Sequence, residues 1–142
     1  MPTRNATAIW KGGLRGGNGS FNGESGVVSG AYSFGSRFES ATGSNPEELL
    51  AAAEAACFSM ALSLGLEKAG FTPESVETHA ACTIEQQGGG FTITTMALKV
   101  RASVPGIDQA RFEQIAEETK DGCPVSKVMH GNVKMELDAA LI

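Results

Sequence analysis

A chain of 142 residues has room for one domain and none for a separate cofactor-binding half, so 1–142 is expected to fold as a single domain. With 42% apolar and 19% charged residues it can bury a core and stay in solution, which excludes disorder as a description of the whole. A net charge of −5 without any cluster of Lys or Arg excludes the electrostatic footprint of a nucleic-acid or anionic-membrane partner.

In chain order, residues 6–10 and 19–25 read as two strands of a hairpin, joined by a run in which Gly12-Gly13 and Gly16-Gly17 flank Arg15. The run is not a phosphate loop: no Lys-Ser/Thr pair closes it, and it joins strands instead of opening a helix. A third strand is expected to include residues 32–34 and to run toward Arg37, ahead of a polar stretch at 40–44. Residues 45–69 then carry every signal of a helix. Asn45 is placed to cap it, Pro46 takes the first helical position, Glu48 completes a capping-box-like pattern, and Gly70 lies just past the end. The density of Ala, Leu, Met and Phe between positions 49 and 66 leaves almost no polar face. A central helix is therefore predicted, covered on most sides by protein or covered further by a second subunit.

Beyond Thr72-Pro73, Val76, Thr78, Ala80, Cys82 and Ile84 alternate with polar or small residues at the period of a half-buried strand. Gly88-Gly89-Gly90 turns the chain, and Met96, Leu98, Val100, Ala102 and Val104 line one face of the returning strand until Pro105-Gly106. Asp108 can cap a second helix with the apolar stripe Phe112, Ile115, Ala116 and Thr119, stopped by Gly122. Cys123-Pro124 opens a short third helix, and residues 132–137 form a last strand. Strands grouped before and after helices make an α+β fold. No basic segment leads into an apolar run at the N-terminus, and no stretch is expected to approach the roughly 20 apolar residues of a membrane span, so the expected location is cytoplasmic with no membrane partner.

Three cysteines in no zinc-ligand spacing raise the question of reactivity, since a reducing cytosol does not staple them. Cys57 falls mid-helix in Ala55-Ala56-Cys57-Phe58, where apolar neighbours favour the thiol; as a nucleophile it needs a nearby cation, and otherwise it is a small core residue. Cys123 stands at the helical start set by Pro124, where backbone N–H groups and the helix dipole favour a thiolate; the alternative is a cap substitute at a turn. Cys82 lies on the inward face of its strand and reads as core. His79 and His130 offer no arrangement that suggests a Cys/His hydrolase, though the sequence leaves that reading open.

Asn45-Pro46-Glu47-Glu48-Leu49, Ala56-Cys57-Phe58 and Cys123-Pro124-Val125-Ser126 resemble the family of osmotically inducible protein C and organic hydroperoxide resistance proteins, nearer the osmotically inducible branch. Gly23-Glu24-Ser25-Gly26-Val27, Ser36-Arg37-Phe38-Glu39, Ala69-Gly70-Phe71-Thr72-Pro73 and Val104-Pro105-Gly106-Ile107-Asp108 extend the resemblance over nearly the full length. It implies an OsmC-like swapped-hairpin fold, antiparallel sheets around a long central helix, in an intertwined homodimer with sites at the subunit interface and no metal or flavin. It also implies a cysteine-based peroxidase, acting in oxidative or osmotic stress, that reduces organic hydroperoxides. In that reading Cys57 attacks the peroxide and becomes a sulfenic acid, Cys123 condenses with it to a disulfide, and an external dithiol such as a dihydrolipoyl group resets the enzyme. Arg37 and Glu47 match the Arg and Glu that the family places near the thiol, with Arg15 as a competing arginine; a surface ion pair is the alternative role. Glu47 precedes Cys57 by ten positions on one helix, about 15 Å of rise and roughly 80° of rotation, so the two cannot touch within that helix. Glu47 can then assist only through a long intermediary or from the other subunit's helix, and the second agrees with a site shared across a dimer interface. Phe38, Phe58, Met60 and Phe71 are candidates for an apolar ring favouring alkyl peroxides, or are simply core. A non-catalytic stress protein binding an apolar ligand is the competing reading from a different class.

Overall fold

Two strands at the N-terminus, β1 (Ala6–Lys11) and β2 (Asn18–Gly23), pair antiparallel, and β3 (Ser29–Tyr32) adds to β2 in a three-stranded meander. The computed structural model describes residues 1–142, which divide into two units, Met1–Leu49 and Leu50–Ile142. In the first unit the aromatic rings of Trp10 and Tyr32 lie 5.3 Å apart over Gly19, where an added Cβ would stand 2.6 Å from Tyr32 and 2.8 Å from Trp10. Glycine is required there because the two rings fill the space any side chain would take. The third strand ends earlier than predicted, at Tyr32 instead of running toward Arg37: at Ser33 the chain turns into a helix, α1 (Phe34–Phe38), which contains Arg37. The cause is a reciprocal cap, in which Ser33 Oγ accepts from the Ser36 N–H at 3.1 Å and Ser36 Oγ accepts from the Ser33 N–H at 2.9 Å.

The long helix α2 runs from Pro46 to Lys68. Asn45 Oδ1 accepts from the Glu48 N–H at 2.8 Å, while the Glu48 carboxylate takes the Ser44 hydroxyl instead of closing a box with Asn45. At the other end the Phe71 N–H reaches the Leu66 carbonyl and the Gly70 N–H reaches the Glu67 carbonyl, with Gly70 at φ 92°, a Schellman closure. By length and composition α2 could cross a membrane, which corrects the expectation that no segment approaches that size. Its inward face instead belongs to the core of the second unit, where Phe58, Leu62 and Leu66 are wholly buried with Met96, Leu98, Val100, Ala102, Phe112 and Ala116. The opposite face is not covered by the chain itself, so of the two expectations the helix buried on most sides within its own fold is not met: Leu50, Met60 and Leu64 are 36%, 77% and 51% exposed.

β4 (Ser75–Gln87) and β5 (Gly90–Ser103) form an antiparallel hairpin closed by Gly88 and Gly89, both at positive φ as a tight two-residue turn demands. Met96, Leu98, Val100, Ala102 and Val104 are all buried, and Cys82 is half-buried against them. α3 (Gln109–Gly122) is capped by Asp108, whose Oδ1 accepts from the Arg111 N–H, and buries Phe112, Ile115, Ala116 and Thr119. Gly122 is its last helical residue and not its stop. The break comes at Cys123, whose ψ of 129° is the extended value imposed on a residue before proline. α4 (Pro124–Met129) follows, and β6 (Lys134–Leu141), later and longer than predicted, lies parallel to β5. The second sheet is therefore mixed, not antiparallel, because the two intervening helices supply the long connection a parallel pair needs. The fold is α+β.

Candidate active site

α2 and α4 bring two thiols together. Cys57, near the middle of α2, and Cys123, at the N-terminal boundary of α4, have their sulfurs 3.0 Å apart, both reduced. Cys123 is 1% exposed, and Cys57 is partly accessible. The helical start favours Cys57 and not the residue that forms it: Cys123 makes no capping bond with its side chain, whereas the backbone of Val125, in the first turn of α4, hydrogen-bonds to Cys57. Even so, the Cys57 thiol is held above its ordinary pKa. Burial is the main cause and the contact with Cys123 adds to it; the bond from Val125 opposes both, and the charges of Cys123 and Glu54 raise it further. None of these groups is a cation. A thiolate at Cys57 needs positive charge that these neighbours do not supply.

Glu54 is the residue that sequence reasoning missed. It is wholly buried one turn before Cys57, and its Oε1 accepts the hydroxyl of Ser126 at 2.5 Å, while its Oε2 has no partner. A signal was present, because Glu54 is the only acidic or basic side chain between positions 49 and 66. Burial pushes the carboxyl above its ordinary pKa, against the Ser126 hydrogen bond and the charge of His130.

In the first unit, Arg37 and Glu47 meet in a fork. Arg37 Nε lies 3.1 and 3.2 Å from the two carboxylate oxygens and a terminal nitrogen lies 2.7 Å from Oε1. The Glu47 side chain is 8% exposed and that of Arg37 35%. The geometry aims the guanidinium by its charged partner, with one face on the Phe38 ring at 5.2 Å. Arg15 is engaged differently, 4.5 Å over the ring of Phe34. Trp10, Leu14, Tyr32, Ser33, Phe34, Arg37 and Phe38 line a cleft of about 230 Å³. Of the residues named for an apolar ring, Phe58 is core, the alternative the sequence allowed, while Met60 points to solvent, because two residues apart on a helix face nearly opposite ways. His79 and His130 are exposed on separate elements, and no group of three or more His, Cys, Asp or Glu side chains is placed to hold a metal.

A family model of OsmC-like proteins matches residues 39–138. The chain is 48% identical over 130 residues to the peroxiredoxin OsmC of Escherichia coli (strain K12), covering 91% of each. It is 33% identical over 99 residues to the organic hydroperoxide resistance protein of Xanthomonas axonopodis pv. citri, covering 69% of this chain and 68% of that one. Among solved structures, the organic hydroperoxide resistance protein OhrB of Bacillus subtilis has the same fold with a TM-score of 0.76 at 25% identity, over 96% of this chain and 98% of that one.

Proposed function

The chain belongs to the OsmC-like family, and from that premise we propose that it is a thiol-dependent peroxidase that reduces organic hydroperoxides to alcohols and protects a bacterial cytoplasm under oxidative or osmotic stress. The observation that carries this reading is the 3.0 Å approach of the Cys57 and Cys123 sulfurs. Cys57 transfers its electron pair to one peroxide oxygen, the O–O bond breaks, and an alcohol leaves with the thiol's proton; the product is Cys57 sulfenic acid. The Cys123 sulfur then attacks Cys57, expelling water and leaving a disulfide. The two sulfurs need close by only about 1 Å to reach a disulfide bond length of about 2.05 Å. A small dithiol, of which a dihydrolipoyl group is one form, takes the oxidation onto itself by two exchange steps and returns both thiols. No metal or flavin enters the cycle.

Arg37, aimed by Glu47, supplies the cation that Cys57 lacks among its own neighbours. The spacing of about 15 Å between Glu47 and Cys57 along one helix rules out their direct contact there; in this reading the pair acts at the Cys57 of a partner subunit in a swapped homodimer. The aromatic cleft beside Arg37 receives the carbon side of the peroxide, where each buried methylene contributes about 0.8 kcal/mol. The test is turnover of cumene hydroperoxide and of hydrogen peroxide with dihydrolipoamide as reductant. Faster consumption of the organic peroxide, lost in Cys57→Ser, is expected. Turnover that survives Cys57→Ser would reject the proposal.

A further inference from the structure

A second contact joins α2 to α4 one turn away from the thiols. Glu54 precedes Cys57 by three positions on α2, and Ser126 follows Cys123 by three on α4, so the Glu54–Ser126 hydrogen bond and the Cys57–Cys123 contact are successive rungs between the same two helices. Both members of the second rung are 0% exposed. A carboxyl buried with only one of its oxygens bonded carries a desolvation penalty that an apolar residue would avoid. Its neighbours give it one specific task, since its single hydrogen bond is made to α4. That helix is six residues long and begins with a proline that has no N–H to give, and the side chain of its cap residue, Cys123, makes no capping bond. Its start is otherwise tied by the Cys123 N–H to the Thr119 carbonyl and by the Val125 backbone to Cys57, so the Glu54–Ser126 bond is the contact one turn further along.

We propose that Glu54 and Ser126 are a positioning pair for the disulfide-forming step: their hydrogen bond keeps the start of α4 docked on α2, so that Cys123 stays within reach of oxidised Cys57. The inference rests on the two-cysteine cycle proposed above. Once Cys57 is a sulfenic acid, two reactions compete. In one, the Cys123 sulfur forms the S–S bond, the S–O bond breaks, and the hydroxide leaves as water with the proton of Cys123. In the other, a second hydroperoxide adds its oxygen to Cys57, giving a sulfinic acid and an alcohol. Holding Cys123 in place favours the first by proximity, without either positioning residue touching the reacting atoms.

The experiment exposes reduced wild type, Ser126→Ala and Glu54→Gln to rising cumene hydroperoxide and measures bridged against sulfinic protein by intact mass, with the rate of first-turnover peroxide loss recorded in parallel. Ser126→Ala removes one hydroxyl and is expected to raise the sulfinic fraction about three- to tenfold at a given peroxide excess, the scale of one lost hydrogen bond, with first-turnover peroxide loss unchanged. Glu54→Gln still accepts the Ser126 hydroxyl through its amide oxygen and is expected to stay within about twofold of wild type. A Ser126→Ala protein that partitions as wild type does overturns the inference while leaving the cycle intact. A Glu54→Gln protein as prone to sulfinic acid as Ser126→Ala also overturns it, because the charge or proton of Glu54 would then matter and not its hydrogen bond. A wild type that forms no disulfide at all rejects the cycle and the inference with it.

Discussion

Cys57 sits where a thiol is favoured, and chemistry at its sulfur depends on what offsets that preference. With its pKa raised by burial and by Cys123, the thiolate fraction near neutrality is small, and the rate of peroxide attack should climb as pH rises toward that raised pKa. Arg37→Ala should push the rise to still higher pH and lower kcat/KM about 100- to 1,000-fold at neutral pH, the range for losing one preorganised donor. Stopped-flow peroxide consumption between mildly acidic and alkaline pH measures both. Glu54 makes a separate statement about stability. Its folded-state pKa is raised, so the native protein holds that proton more tightly than the unfolded chain does. The associated stability is present at low pH and is lost as pH rises from the ordinary carboxylate range through the raised value. Glu54→Gln should flatten that fall, as read by urea denaturation across the same window; an unchanged slope would remove Glu54 as its cause. Cys57 and Cys123, which meet at 3.0 Å, were both singled out in the sequence, but their residues left each open to a structural role and only the family resemblance paired them. Glu54 was not singled out, because a lone acid in an apolar run gives no hint of the Ser126 that meets it from another element.

At the scale of elements, the punctuation residues account for most of what could be anticipated. Pro46 and Gly70 bracket α2, the paired glycines 88 and 89 close the β4–β5 hairpin, and Asp108 opens α3. Gly70→Ala should destabilise the protein by about 1 kcal/mol, since the left-handed backbone at φ 92° penalises any Cβ. Denaturant melts against a neutral surface variant check it. Leu62→Ala, in the wholly buried stripe of α2, should cost about 2–5 kcal/mol. Two elements escaped the sequence reading for identifiable reasons. The Ser33 and Ser36 side chains each bond the other's backbone, which converted an expected strand extension into α1 and gave Arg37 its helical setting. β6 was placed too early because alternation in a short edge segment fixes neither its ends nor its direction, and its parallel pairing to β5 follows from the α3–α4 connection.

At the scale of the molecule, the face of α2 that carries Leu50, Met60 and Leu64 is apolar and uncovered in the single chain. A stripe of that kind on a 23-residue helix suits burial by a second copy. If the proposed homodimer buries this face, Leu64→Lys should shift sedimentation from dimer toward monomer and, with a shared site, reduce peroxide turnover in step. Mixing Cys57→Ser with Glu47→Ala protein should recover partial activity, because each exchanged dimer regains one intact site; verified subunit exchange without recovery would place both residues in one subunit's site. The family was readable from motifs spread along the whole chain and the α+β class from the order of its elements, whereas the choice between a fully buried α2 and one covered by a second subunit stayed open, since apolar composition alone does not separate a helix buried in its own fold from one waiting for a partner.

The most direct measurement is a count of thiols by intact mass after one equivalent of cumene hydroperoxide is added to reduced protein, with peptide mapping of any bridge. The account predicts the loss of two thiols into a Cys57–Cys123 disulfide, Cys82 untouched, and the peroxide converted to its alcohol. Three surviving thiols with the peroxide intact, or a bridge that includes Cys82, would contradict it.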